Sequence, residues 1–86
     1  MRYLFMFRSL TYAQRASRLL ERSGITGTVT RMPRSAGTKG CAYGVLVSPG
    51  NRDRARSVLT GGGLSPERIY LRRQDGSLKE ERDDMA

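Results

Sequence analysis

Apolar residues fall in short runs separated by turn formers and arginines. Arg2–Phe7 reads as an apolar strand, dense in aromatic and large side chains. Ala13, Ala16, Leu19 and Leu20 then form one helical stripe between exposed Arg15, Arg18 and Arg22. Ser9 or Thr11 can cap this helix, Thr11-Tyr12-Ala13-Gln14 fits a capping box, and Gly24 stops it. Thr28–Met32 is a short half-polar strand, and Pro33–Gly40 has loop composition. Ala42–Val47 is a second apolar strand, broken by Ser48-Pro49-Gly50. Asn51 can cap a helix carrying Ala55, Val58 and Leu59, which Gly61-Gly62-Gly63 ends. Arg68–Arg72 alternates around Ile69 and Leu71, the pattern of a strand with one buried face.

This β-α-β-β-α-β order predicts an α+β, ferredoxin-like fold: a four-stranded antiparallel sheet with both helices on one face. The apolar first and third strands belong at the centre. The second and fourth, carrying Thr and Arg, suit the edges, where charge blocks unwanted pairing. One domain over residues 1–72 is expected. From Arg73 the chain is charged and loses its apolar period, so residues 73–86 read as a mobile tail.

Composition narrows the chemistry. With 86 residues, 37% of them hydrophobic and 28% charged, the chain has the make-up of one soluble globular domain. No apolar run is long enough for a membrane span, and the apolar part of MRYLFMF is too short for a signal peptide. A single cysteine leaves no intramolecular disulfide, so the expected compartment is the cytoplasm. The absence of histidine removes Ser/His/Asp and Cys/His nucleophile arrangements and the usual Zn and Cu sites. No metal or other cofactor is expected, and a self-sufficient hydrolase or metalloenzyme is disfavoured. The net charge of +8 divides unevenly: residues 1–73 hold fourteen Lys/Arg against Glu21, Asp53 and Glu67, a net +11, whereas residues 74–86 carry −3. A basic body attracts nucleic acid, an anionic substrate or an acidic partner, or simply keeps the protein soluble.

Cys41 is the only thiol and the strongest nucleophile available. The predicted topology sets the Pro33–Gly40 loop, the helix start around Arg8–Thr11 and the triglycine turn at one end of the sheet. There, Arg8, Arg34 and Lys39 and the helix dipole would lower the Cys41 pKa from its free value of about 8.5. Gly40 would leave backbone amides open to a reactant. The candidate site is therefore Cys41 as reactive residue, with Gly40, Lys39, Arg34 and Arg8 for substrate. The alternative is Cys41 as a small buried hydrophobe.

At these residues the chain resembles the bacterial and archaeal family named putative selenium/sulfur carrier protein-like. The likeness runs from about Tyr3 to Tyr70. It rests on Tyr3-Leu4-Phe5-Met6-Phe7 followed by Ser9, on the Ala13, Ala16, Leu19, Leu20 stripe with Gly24-Ile25, and on Pro33-Arg34. Gly40-Cys41-Ala42, Leu46-Val47, Ala55, Leu59 and Ile69-Tyr70 complete it. The resemblance implies that Cys41 holds sulfur or selenium as a persulfide or selenopersulfide. It also implies a donor enzyme, such as a cysteine desulfurase, and an acceptor protein. Such a protein is a carrier rather than a stand-alone enzyme, and its thiol-exchange chemistry needs no general base. Gly61-Gly62-Gly63 departs from the family's short polar turn, and the acidic tail is additional.

Two other functions compete. Lys39-Gly40-Cys41-Ala42-Tyr43-Gly44-Val45-Leu46 loosely echoes an RNA-recognition-motif signature, and Tyr3, Phe5 and Tyr43 could stack bases on one sheet face. Against this, Cys41 and Leu46 occupy signature aromatic positions. The other rival is a noncatalytic interaction module, with Tyr3, Phe5, Tyr43 and Tyr70 as an outward patch.

Overall fold

The structure, a computed structural model, describes residues 2–31 and 43–81. Strand β1 spans Arg2–Phe7 and helix α1 Leu10–Arg22; strands β2 and β3 span Thr28–Arg31 and Tyr43–Val47. A 3-10 turn at Pro49–Asn51 leads into helix α2, Arg52–Gly61, followed by β4, Arg68–Arg72, and β5, Leu78–Glu81.

Local chemistry accounts for the helix ends. Ser9 is the α1 N-cap, its hydroxyl accepting from the Tyr12 N–H at 3.3 Å, so Thr11 lies inside the helix and the capping-box reading is corrected. At the other end Ile25 N–H donates to Leu20 O (2.9 Å) and Gly24 N–H to Glu21 O (3.0 Å), with Gly24 at φ 78°. This is a Schellman closure, and Leu20 and Ile25 bury their side chains together in the core. Asn51 stands at the α2 N-cap position, but its side chain makes no cap bond; its Nδ2 donates to Ser48 Oγ instead.

The triglycine turn repeats the Schellman geometry. Leu64 N–H donates to Leu59 O at 2.8 Å and Gly63 N–H to Thr60 O at 3.1 Å, with Gly63 at φ 75°. A Cβ on Gly62 would collide with the Leu19 side chain, whereas one on Gly61 would meet nothing within 4 Å. Gly63→Ala should therefore lower stability by about 1 kcal/mol through its left-handed backbone. Gly61→Ala, at the last helical residue, should stay within about ±0.5 kcal/mol. Urea unfolding of both variants checks this; equal losses would contradict the assigned helix end.

Among the described residues, five strands form one antiparallel sheet in the order β2-β3-β1-β4-β5. The apolar β1 and β3 are adjacent at its centre, as their composition requires. The fold is α+β, but the expected four-stranded ferredoxin-like sheet is corrected to five strands. Part of the segment read as a tail supplies β5, which pairs Ile69↔Glu81 through Arg72↔Leu78 and takes the edge from β4. The β4–β5 turn is closed by Arg73 N–H to Ser77 O at 2.9 Å and by Gly76 at φ 88°. Asp75 braces it: the Ser77 hydroxyl (2.7 Å) and N–H (2.9 Å) both donate to Asp75 Oδ1 and hold its carboxyl below the ordinary aspartate range. Lys79, Glu80 and Glu81 give the new edge the charges that discourage pairing with another chain.

Strand alternation sorts the core into two layers. Phe5, Phe7, Val45, Val47 and Ile69 face both helices and pack against Ala13, Ala16, Leu20, Ala55 and Leu59. Leu4, Met6, Leu46 and Tyr70 share the opposite face, with Leu78 of β5 packed against them. Arg54 of α2 donates to Ser23 O at 2.7 Å, satisfying a carbonyl at the end of α1.

Candidate functional site

The end of the sheet read as the site is organised by β1. Phe7, its last residue, pairs with Tyr43, the first of β3, while Met6 pairs with Arg68, the first of β4. Glu67 N–H extends that ladder by donating to Met6 O at 2.9 Å. The chain leaves β1 through Arg8 into the α1 cap at Ser9, and α2 ends at the same side. A cleft of about 280 Å³ is consequently lined by Phe7, Arg8, Tyr12, Gly63, Leu64, Ser65 and Glu67. The expected meeting of the first helix start with the triglycine turn is thus found.

Of the sequence-predicted site residues, Arg8 is described; Arg34, Lys39, Gly40 and Cys41 lie outside the described residues. Arg8 is not an unengaged cation. Its Nε and Nη2 both donate to Glu67 Oε1 at 2.9 Å. The side chains are 74% and 39% exposed, so water competes strongly and the pair contributes no more than about 1 kcal/mol. An incoming anion can therefore displace Glu67 from Arg8 at small cost. Glu67 escaped the sequence reading because 59 residues separate it from Arg8; its one signal was being among three acids in a basic body. Among the described residues, Leu10 and Tyr12, on the first turn of α1, are the exposed large hydrophobic residues, at 40% and 44%.

The sheet face of each tyrosine is also decided. Tyr3 and Tyr43 pack against the helix-side core together with fully buried Phe5, and the Arg52 guanidinium lies 5.2 Å from the Tyr3 ring centroid. Tyr70 lies on the other face, 4% exposed. The base-stacking platform of Tyr3, Phe5 and Tyr43 is therefore not formed, and neither is an outward patch of these aromatics. The cause is parity: odd positions of β1 point toward the helices.

Among the described residues no group of three or more His, Cys, Asp or Glu could hold a metal ion, and no helix is long and apolar enough to cross a membrane. The fold is a small α+β sheet domain with a cleft where β1 gives way to α1. By the match of its family model over residues 2–71, the chain belongs to the family described as "Putative Se/S carrier protein-like". No curated protein and no solved structure matches it.

Proposed function

We propose that this protein carries sulfur or selenium on Cys41, as a persulfide or selenopersulfide, between a donor enzyme and an acceptor protein. The family match, whose span contains Cys41, carries this reading. Chain connectivity supports it: Cys41 precedes Tyr43 by two residues, and Tyr43 pairs with Phe7 beside Arg8. One unpaired cysteine suits a reducing, cytoplasmic setting.

The transfer follows thiol–disulfide exchange. The Cys41 thiolate attacks the outer sulfur or selenium of a donor persulfide or selenopersulfide. A bond from Cys41 Sγ to that atom forms, the donor's own bond to it breaks, and the electron pair leaves on the donor thiolate. The acceptor thiolate repeats the exchange in the other direction. Neither step needs an external oxidant or a general base. Arg34, Lys39 and Arg8 would stabilise the anionic forms, with Arg8 released from Glu67, and the amide of Gly40 would add a donor. Exposed Leu10 and Tyr12 give a partner protein an apolar contact at the Arg8 end.

Intact-mass analysis after incubation with a cysteine desulfurase and cysteine tests the proposal. The wild-type chain should gain one or more sulfur atoms, lost again on reduction, and Cys41→Ser should gain none while keeping its circular dichroism spectrum. A chain that stays unmodified while the desulfurase forms its own persulfide would end the carrier reading.

A further inference from the structure

The opposite end of the sheet, away from Arg8, concentrates positive charge in a way the carrier reading does not use. Arg2 and Arg72 are direct cross-strand partners in the β1–β4 pair. Like charges placed opposite one another in an antiparallel pair repel. Arg73 follows immediately, and the three arginines with Gln74 line an open cleft of about 320 Å³. Arg8, Arg52 and Arg68 each face a carboxylate, and Arg54 a carbonyl. Among the described residues, Arg2, Arg72 and Arg73 have no ion pair and no side-chain hydrogen bond. The nearby carboxylate, Asp75, is engaged by Ser77, with the charge of Arg73 a lesser influence on it.

We propose that Arg2, Arg72 and Arg73 form a binding site for a compact phosphate-class oxyanion of the pyrophosphate type. A guanidinium presents two parallel N–H donors matched to two phosphate oxygens, and the three positive charges around the cleft are matched more nearly by a pyrophosphate than by one phosphate group. The cleft is open and polar, so it suits a small, highly charged ligand rather than an apolar one. Relief of the Arg2–Arg72 repulsion, which water and salt screen in part at these exposed side chains, adds modestly to the binding energy.

Thermal unfolding of the full chain, with sodium chloride at matched ionic strength as the reference, tests this site. Pyrophosphate near saturation should raise the midpoint by about 5 °C beyond chloride, and inorganic phosphate should raise it less. Arg72→Gln should increase the midpoint in the absence of the anion, by removing the repulsion, and abolish the pyrophosphate increment. In a pyrophosphate titration followed by NMR, the side-chain Nε–H signals of Arg2, Arg72 and Arg73 should shift together. An increment no larger than that of chloride, equal effects of phosphate and pyrophosphate, or a full increment retained in Arg72→Gln would each overturn the site. So would signal shifts confined to Arg15, Arg18 and Arg22.

Discussion

Phe5→Ala should lower the unfolding free energy by about 4 kcal/mol, the largest loss expected of any single side chain here. Phe5 is fully buried at the middle of the central strand, between Val45 of β3 and Ile69 of β4, and under both helices. Truncation removes the ring's burial and leaves a cavity that a sheet cannot close, because hydrogen bonds on both sides hold β1 in register. Domains of this size have roughly 4–13 kcal/mol in total, so the variant should retain much less net stability than the wild type at room temperature. Tyr12→Ala, at an exposed helix position, should stay within about ±0.5 kcal/mol. Urea denaturation of the two variants makes the comparison, and a loss under 1 kcal/mol at Phe5 would contradict the described core.

Removal of the chain beyond Gln74 should cost about 2 kcal/mol, far more than deletion of a free tail. The deletion takes away four β4–β5 residue pairs and Leu78, which packs against Leu4, Met6, Leu46 and Tyr70. Net ladder hydrogen bonds contribute about 1 kcal/mol each and half-burial of a leucine about as much, while release of the segment returns chain entropy. The Arg68–Glu80 contact, 3.7 Å long and half exposed at both ends, adds little. Denaturant unfolding of the truncated and full chains measures the difference; a change within ±0.5 kcal/mol would mean that β5 contributes nothing to the sheet.

The candidate site was legible as a set of chemical capacities rather than as an arrangement. That Cys41 is the single thiol, and that no histidine can serve as its base, follows from composition. That Arg8 meets Glu67 does not, since no local rule joins positions 59 apart. The clustering of Arg2 with Arg72 and Arg73 depends on strand register in the same way.

The order of the first six elements, their approximate limits and the stops at Gly24 and within Gly61-Gly62-Gly63 were determined by the sequence alone, because these rest on interactions within a few residues: side-chain periodicity, caps and turn-forming glycines. The central position of β1 and β3 was readable too, since strands buried on both faces must be apolar along their whole length. Which face holds Tyr3, Phe5 and Tyr43 was decided only in three dimensions, where a shift of one residue exchanges the faces of a whole strand. The fifth strand is the clearest tertiary decision. Leu78 is the only apolar residue in Leu78–Glu81, so the segment has no period of its own. It forms a strand because the Arg73–Ser77 turn reverses the chain beside β4, whose edge supplies backbone partners that no local pattern encodes.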